Sequence, residues 1–497
     1  MASQYPFAKA RTAPMRFVGD PFQLGVASGD PSTDGMVLWT RLAPAPLSPG
    51  GGMPDKAVAV KWEVAKDEAF KQIVATGEEQ AVASEAHSVH AEPRGLQPGS
   101  EYFYRFTAGG AQSPIGRTKT TTAGPLSSMK FAFASCQQYE HGYYTAYKHM
   151  ANEDLDLILH LGDYIYEYST NSYTAGGGGN VRGHSNHEVM ELADYRERHA
   201  QYKTDVNLQA AHASAPWFVT FDDHEVDDNW AGIAPGDGSP PKSYTNRKAA
   251  AFQAYWEHMP LRRAAKPNGA AIPIYRRGAF GDLATFHVLD TRQFRSDQPC
   301  NDGIKACSDR SSDALTMTGN AQEAWLLDGL EKSTAKWQIF AQQVVMAQMD
   351  WSVGANETWN VDAWDGYTAE RTRLFNYINQ KGTLNPLVLT GDIHQHWAAD
   401  LLADFRDPNS KILGSELVGT SISTGADGSD NPNDAKLAEN PWFKFVNSQR
   451  GYVTVELGQD QAKADFKVLP YVRRPGAPIS TRKSFVIEAG HPGLQNA

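Results

Sequence analysis

The sequence predicts two domains, an all-β sandwich followed by a larger layered α/β domain. The chain has 497 residues, whereas single hydrophobic cores stop growing near ~250–300 residues. Short runs of alternating apolar and polar residues lie between residues 22 and 121. Beyond residue 128, short apolar strands alternate with helical stretches, which indicates a sheet covered by helices.

The segment 22–121 has the pattern of short strands separated by turns. The runs and turns are, in chain order, 35–40, 44–54, 57–64, 95–99 and 101–106. A proline turn that leads into a tyrosine-rich strand, at 96–104, is typical of immunoglobulin-like and fibronectin-like sandwiches. We therefore expect an N-terminal extension over 1–21 and a sandwich of this kind over 22–122.

A layered domain is expected over 128–470, with a C-terminal segment over 471–497. Its buried strands are predicted at 129–135, 155–161, 217–221, 283–289, 337–341 and 386–390. Helical stretches are predicted at 144–154, 193–203 and 247–259. Such a domain binds its ligands beyond the carboxyl ends of its strands.

The protein has a formal net charge of -11 and no Lys/Arg-rich run. This excludes a basic surface for binding nucleic acid, so we expect no stable nucleic-acid complex. An acidic protein that acts on anionic esters needs local positive charge, and bound metal ions are a natural source. No apolar run reaches the ~18 residues of a membrane span. We expect a monomer without a transmembrane segment.

The three cysteines and the N-terminus bear on the compartment. Cys300 and Cys307 lie in a polar loop without nearby zinc ligands. A local disulfide is favoured over two free thiols, and it indicates an oxidising compartment. Residues 1–22 lack the apolar core of a signal peptide, so the protein is either cytoplasmic or a mature, exported form.

Polar residues accumulate directly after four of the predicted buried strands. These clusters are Ser135-Cys136-Gln137-Gln138, Gly162-Asp163-Tyr164-Ile165-Tyr166-Glu167, Asp222-Asp223-His224-Glu225 and Gly391-Asp392-Ile393-His394. An aspartate after a strand often caps the next helix, and a lone histidine there is often structural. Helix capping does not explain why four strand ends each carry Asp, His or Cys. Like charges crowded at one sheet edge repel unless cations lie among them, so we predict a metal site.

These four motifs, in this order, resemble the PhoD-type alkaline phosphatases of the calcineurin-like metallophosphoesterase superfamily. The resemblance covers nearly the whole chain, including the leading β domain. It implies that 128–470 is a metallophosphoesterase domain, a β-sandwich flanked by helices. The superfamily's first strand usually ends in Asp-x-His, whereas Cys136 takes that place here, as in the PhoD type.

The resemblance also implies a ligand set for two metals. Cys136, Asp163, Tyr166 and His394 correspond to an iron(III) pocket, and a thiolate suits iron or zinc better than calcium. Asp223 and Asp392 correspond to the second metal's ligands, and their carboxylates suit Ca²⁺. Asp163 is expected to bridge the two ions. The alternative for Cys136 is a small core residue.

Three side chains are candidates for contact with the substrate. By the resemblance, His224 corresponds to the imidazole that faces the phosphate and either stabilises the transition state or protonates the leaving oxygen. From the residues themselves, Arg292 and Arg295 are candidates for a bidentate phosphate clamp, the alternative being a surface salt bridge. Further ligands for another calcium ion are weaker candidates: Glu225, Asp227, Asp228 and Asn229.

The function implied is hydrolysis of phosphate mono- or diesters at an iron–calcium site by hydroxide attack on phosphorus, with an alkaline optimum. One alternative is a phosphodiesterase of the phospholipase D type. Another is a non-catalytic calcium-binding adhesion protein, which the thiol, tyrosine and histidines at the strand ends argue against. We expect a secreted, periplasmic or cell-surface protein exported by the twin-arginine route, which relatives resembling this protein use.

Overall fold

The structure is a computed structural model and describes residues 17–176, 179–236, 238, 240–382, 384–430 and 434–497. Most of the predicted N-terminal extension therefore lies outside the described residues. The strands are β1 (Val26–Ser32), β2 (Gly35–Arg41), β3 (Val58–Ala65), β4 (Ile73–Ala81), β5 (Ser88–Ala91), β6 (Glu101–Ala108), β7 (Ala111–Gln112), β8 (Gly116–Lys119), β9 (Ser128–Ala134), β10 (Leu157–His160), β11 (Pro216–Val219), β12 (Arg276–Phe280), β13 (Ala284–Val288), β14 (Ile304–Lys305), β15 (Trp337–Ala341), β16 (Trp359–Asn360), β17 (Pro386–Thr390), β18 (His396–Leu402), β19 (Ile412–Val418), β20 (Phe443–Asn447), β21 (Arg450–Gly458), β22 (Gln461–Leu469), β23 (Ser480–Glu488) and β24 (His491–Asn496).

The α-helices are α1 (Thr145–Met150), α2 (Leu192–Lys203), α3 (Val206–Ser214), α4 (Pro241–His258), α5 (Gly319–Lys332), α6 (Thr368–Lys381) and α7 (Asp434–Glu439). Each buried strand and each helix predicted in the layered domain is present, with ends displaced by a few residues. Among the described residues, none of the helices has the length and apolar character needed to cross a membrane.

Two large sheets pack face to face. One has ten strands in the order β24-β23-β22-β21-β9-β10-β11-β1-β2-β5, and the other has seven in the order β12-β13-β15-β17-β19-β18-β20. The core between them is apolar; Phe131 of the first sheet meets Phe286 of the second edge to face at 5.3 Å. Helices α1 to α4 cover the outer face of the first sheet, and α5 and α6 cover that of the second. These layers form a β-sandwich flanked by helices.

The leading β segment shares a sheet with the rest of the chain. Strands β3, β4, β6, β7 and β8 form a separate five-stranded sheet, and its apolar face packs on β1, β2 and β5. Strand β1 in turn pairs in parallel with β11, with Ser28 opposite Pro216. The expected all-β segment is therefore present, but hydrogen bonds continue across its expected end. Alternation within a strand indicates which face is buried and does not indicate the partner strand.

The C-terminal segment extends the ten-stranded sheet at its edge. Strand β23 pairs antiparallel with β22, and β24 pairs with β23. Phe485 and Ile487 of β23 are buried in the core between the two sheets. Residues 480–496 thus complete the sandwich, and the sheet does not end at residue 470.

Parallel pairing brings the strand ends together. In the first sheet β9, β10 and β11 run parallel, and in the second β13, β15, β17 and β19 do. The carboxyl ends of parallel strands lie at one edge of a sheet. A bridge between Ser135 and Ser421 joins the two sheets at this edge. The clusters after β9, β10, β11 and β17 consequently meet.

Candidate metal centre

Four residues after the strand ends have backbone in the left-handed region. Their φ angles are +59° at Cys136, +55° at Asp163, +66° at Asp392 and +56° at His394. Such backbone is uncommon for residues other than glycine, and it costs of order 1–3 kcal/mol each where surrounding structure imposes it. These four residues are also ones whose side chains converge, and strained backbone of this kind is common at functional sites.

The first group of converging side chains is the predicted iron pocket. Cys136 Sγ, a carboxylate oxygen of Asp163 and a ring nitrogen of His394 all lie within 4.8 Å of one another. The Tyr166 hydroxyl donates a hydrogen bond of 2.9 Å to Asp163 Oδ2 and lies 3.3 Å from His394 Nε2. The structure therefore brings together all four residues that the resemblance implied for this pocket.

A second group of carboxylates adjoins the first. Oxygens of Asp222, Asp223 and Asp392 lie within 4.8 Å of one another, as do ligand atoms of Asp163, Asp223 and His224. The predicted pair Asp223 and Asp392 is thus assembled beside Asp163. Asp222 was not among the expected ligands, and its place beside Asp223 in the sequence was the only signal for it.

The carboxylates in these two groups are incompletely satisfied. Asp163 Oδ1, Asp222 Oδ2 and Asp223 Oδ1 are buried without a hydrogen-bond partner among the described residues. Burial, with added repulsion from neighbouring carboxylates, raises the pKa values of Asp163 and Asp392 well above the ordinary range. Burial raises the pKa of Asp222 to about 7, although Arg292 opposes this. Bound cations would satisfy these oxygens and remove the repulsion, so the residues fit a metal centre.

His224 lies beside both groups and is held by an acidic partner. Its Nδ1 atom is 2.8 Å from Glu167 Oε2, and its Nε2 atom is 4.0 Å from oxygens of both Asp223 and Asp228. Burial alone would lower the pKa of His224, but the carboxylates of Glu167 and Asp223 raise it well above its ordinary value. The ring stacks on Tyr166 at 4.1 Å. Glu167 was part of a recognised motif, but the sequence did not pair it with His224.

Arg292 is buried among carboxylates. Its Nε atom donates to Asp222 at 2.5 Å and its Nη1 atom to Asp362 at 2.9 Å, while Nη2 lies 3.4 Å from Asp223 and makes no hydrogen bond with the described residues. The surface salt bridge considered for Arg292 is therefore wrong. The engagement of Nε and Nη1 by aspartates does not favour a bidentate phosphate clamp. Arg295 is buried as well and pairs with Asp362 at 3.0 Å.

Glu225 acts on the backbone at the strand ends. Its carboxylate accepts hydrogen bonds from the backbone N–H groups of Asp163 (3.0 Å), Tyr164 (2.6 Å) and Asp222 (2.9 Å). Both carboxylate oxygens are used in this way. Glu225 thus fixes the two turns that carry Asp163 and Asp222, which does not favour its candidacy as a calcium ligand.

The other weaker candidates also have partners in the protein. Asp227 pairs with Arg247 at 2.9 Å. Asn229 donates its backbone N–H to Asp223 Oδ2 at 2.8 Å. The side chain of Asp228 is 57% exposed and lies near His224, so it borders the site on the solvent side.

Two residues far along the chain contact the group formed by Cys136, Asp163, Tyr166 and His394. The Thr424 hydroxyl lies 2.7 Å from the carbonyl oxygen of Cys136 and 2.8 Å from the hydroxyl of Tyr166. Arg450 donates to the carbonyl oxygen of His394 at 2.5 Å. Thr424 follows β19, a strand that the sequence analysis did not predict, and Arg450 begins β21, so no predicted strand end indicated either residue.

The cysteines confirm one prediction directly. Cys300 and Cys307 form a disulfide with a Cα–Cα distance of 5.9 Å, and Cys136 is a free, buried thiol. The disulfide loop reaches the metal centre, because Asp302 within it accepts a hydrogen bond from Asn229. The sequence indicated the disulfide but not this contact.

Comparison with known proteins identifies the family. The family model described as PhoD-like phosphatase matches residues 131–466, and the model of the PhoD-like phosphatase N-terminal domain matches residues 8–122. The chain belongs to the PhoD-like phosphatase family. This confirms the expected family and the expected class of reaction, hydrolysis of phosphate esters.

One relative and one solved structure are similar over nearly the full chain. Alkaline phosphatase D of Bacillus subtilis (strain 168) is 53% identical over 484 residues, which cover 96% of this chain and 83% of that protein. A solved structure described as the structure of PhoD matches with a TM-score of 0.95 and 53% identity, over 97% of this chain and 93% of that one.

Proposed function

We propose that this PhoD-like phosphatase hydrolyses phosphate mono- or diesters at an iron–calcium centre. The observation that supports it most is the convergence of a thiol, a tyrosine, a histidine and four aspartates at one sheet edge. Cys136, Tyr166 and His394 would hold iron(III), because thiolate and imidazole ligands suit it. Asp223 and Asp392 would hold Ca²⁺, which prefers oxygen ligands. Asp163, which borders both groups, would bridge.

Bound cations at such a centre supply Lewis-acid chemistry, since they neutralise phosphate charge and lower the pKa of a water molecule. The protein's contribution is a rigid, buried ligand set. Glu225 fixes the turns of Asp163 and Asp222 through three backbone hydrogen bonds. Thr424 and Arg450 fix the other side. Positioning of this kind contributes to metal affinity as the ligands themselves do.

His224 is proposed as the proton donor to the leaving oxygen. With Glu167 accepting from Nδ1–H, the second proton of the imidazolium is held at Nε2. Although burial opposes it, the carboxylates of Glu167 and Asp223 raise the pKa of His224, which favours the protonated ring. Protonation of a leaving alkoxide by a positioned side chain contributes typically ~10²–10⁴-fold. In the competing role, His224 binds metal together with Asp163 and Asp223. The metal content of a His224→Ala variant distinguishes the two roles, because only loss of a ligand would lower it.

We propose that Arg292 is a positioning residue and not a phosphate clamp. Its guanidinium compensates two adjacent carboxylates, Asp222 and Asp223, that would otherwise repel each other in a buried site. It thereby keeps Asp223 ionised: although burial alone would raise the pKa of Asp223, Arg292 and His224 hold it below the ordinary range. An ionised carboxylate is the form that binds Ca²⁺.

Several broader expectations belong to this proposal. We propose domain boundaries near 22–122 and 128–470, which the two family-model matches support, although the continuous sheet couples the two segments. A monomer remains a prediction. Export by the twin-arginine route would let the thiol-containing centre assemble in the cytoplasm, with the disulfide Cys300–Cys307 closing outside the cell.

The proposal is tested by assaying a chromogenic phosphomonoester and a chromogenic phosphodiester with and without a calcium chelator. We expect hydrolysis that the chelator abolishes and that added Ca²⁺ restores. Phosphodiester turnover confined to phospholipids would favour the phospholipase D-type alternative. Calcium binding without turnover of any ester would favour the non-catalytic alternative and contradict the proposal.

A further inference from the structure

Two tyrosine rings contact His224, and a third contacts both of those tyrosines. The Tyr166 ring lies 4.1 Å from the imidazole, and the Tyr168 ring lies 5.4 Å from it. Tyr173 contacts both of these tyrosines, with centroid distances of 6.3 Å and 5.1 Å. The three rings and the imidazole form one continuous aromatic surface.

The three tyrosines differ in exposure. Tyr166 is fully buried, and its hydroxyl is engaged in the metal centre. Tyr168 and Tyr173 are half-buried, so neither residue is sealed inside the core. Half-buried tyrosines beside an imidazole are not core residues, because a core position would bury them fully.

The backbone of these two residues is held in place. The carbonyl oxygen of Tyr168 accepts a hydrogen bond from Arg198 at 2.9 Å and lies 2.8 Å from His184 Nδ1. The carbonyl oxygen of Tyr173 accepts from Asn180 at 3.1 Å. The segment has no regular secondary structure, yet these bonds order it. Rings ordered before binding cost little entropy when a ligand stacks on them.

The proposed proton transfer from His224 determines which part of the ester lies beside Tyr168 and Tyr173. An oxygen that takes a proton from Nε2 of His224 must come within hydrogen-bond distance of it. The group attached to that oxygen therefore lies beside the imidazole, where the neighbouring surface is Tyr168 and then Tyr173. The leaving group of the ester, and not the retained phosphoryl portion, is the part that contacts these rings.

We propose that Tyr168 and Tyr173 form a leaving-group subsite that selects esters with a planar aromatic leaving group, such as an aryl or nucleoside ester. Stacking of a planar ring on tyrosine is favourable and tolerant of the ring's substituents. Aliphatic leaving groups gain much less there. This inference rests on the proposed function, because His224 must face the leaving oxygen.

The test measures inhibitor binding, because leaving-group reactivity also changes turnover. Phenylphosphonate and methylphosphonate both carry a P–C bond that the enzyme does not hydrolyse, and they differ in the planar ring. We expect Tyr168→Ala and Tyr173→Ala each to weaken inhibition by phenylphosphonate roughly 5- to 100-fold. Inhibition by methylphosphonate should stay within about twofold, and iron content should not change.

Conservative and distant variants complete the design. Tyr168→Phe and Tyr173→Phe keep the ring and should retain wild-type inhibition by phenylphosphonate. Tyr377→Ala removes a half-buried tyrosine on α6, whose hydroxyl donates to Glu331. This variant should change neither the inhibition constant of phenylphosphonate nor that of methylphosphonate. If an alanine variant fails to fold, the leucine variant at the same position replaces it, since leucine is apolar but not planar.

Two results would overturn the subsite. Equal weakening of both phosphonates would indicate a general structural role for the tyrosines, and unchanged inhibition by phenylphosphonate would show that the rings do not contact the leaving group. Failure of the proposed function gives a different pattern, because the wild-type protein would then hydrolyse no ester and bind neither phosphonate.

Discussion

The side-chain amide of Asn229 donates a hydrogen bond of 2.9 Å to Asp302, which lies inside the disulfide loop. The backbone N–H of the same Asn229 donates to Asp223, a proposed calcium ligand. Backbone φ is positive at Cys300, Asn301 and Asp302, so the loop is held in an uncommon conformation. A chain of two hydrogen bonds thus joins the disulfide loop to the metal centre.

Loss of the two hydrogen bonds made by Asn229 should weaken calcium binding. We expect Asp302→Ala to raise the Ca²⁺ concentration needed for half-maximal activity by about 10- to 100-fold, the usual effect of removing a partner of a metal ligand. The double variant Cys300→Ser, Cys307→Ser should also need a higher Ca²⁺ concentration for half-maximal activity. Asp309→Ala, an exposed residue just beyond the loop, is the matched control. Unchanged calcium dependence in Asp302→Ala would show that Asn229 is held without it.

Removal of the His224 imidazole should separate chemistry from metal binding. We expect His224→Ala to retain near-normal iron and calcium while losing ~10²–10⁴-fold in turnover of alkyl esters. The loss should be smaller for nitrophenyl esters, whose leaving groups need little protonation. Glu167→Gln keeps the side chain's size and should show an intermediate loss. Metal loss in His224→Ala, measured by elemental analysis, would instead make His224 a ligand.

Substitution of Arg292 should lower the stability of the protein more than it lowers the affinity for substrate. Arg292→Met leaves buried carboxylates without a counter-charge, so the free energy of unfolding should fall by about 3–5 kcal/mol. Calcium should recover part of this loss, because it binds only the folded protein. Chemical denaturation with and without Ca²⁺ measures both effects. A phosphate clamp would behave differently: KM would rise while stability stayed near that of the wild type.

The Tyr166 hydroxyl should give the protein a visible absorption band. A tyrosinate bound to iron(III) produces a purple or yellow-brown colour, and Tyr166→Phe should remove it while Cys136, Asp163 and His394 still hold the metal. Tyr173→Phe, a neighbour whose ring stacks on Tyr166, should keep the colour. An intact band in Tyr166→Phe would mean that another side chain produces it.

The sequence predicted which side chains converge better than it predicted what surrounds them. Asp163, Asp223 and Asp392 each follow a buried parallel strand, and parallel strand ends meet at one edge whatever the details of packing. The role of Arg292 could not be predicted in the same way. Its partner Asp362 lies 70 residues away, and its burial depends on how two sheets and their loops pack.

The fold shows the same limit. Burial and alternation indicated six strands and three helices of the layered domain, because those patterns are local. Strands β12, β14, β16 and β18 to β24 and helices α3, α5, α6 and α7 were not among them. The pairing of β1 with β11 joins residues far apart in the chain, and no local pattern determines which strands become neighbours. The continuous ten-stranded sheet therefore followed only from the structure.

Iron and calcium are proposed to occupy adjacent positions at this sheet edge. Anomalous diffraction from crystals of the purified protein, recorded above and below the iron absorption edge, would locate both metals. We expect an iron peak within bonding distance of Cys136 Sγ and of the Tyr166 hydroxyl oxygen. A second peak, present on both sides of that edge and lost after calcium chelation, should lie between Asp223 and Asp392. A centre that contains zinc alone, or no anomalous peak near Asp163, would contradict the account.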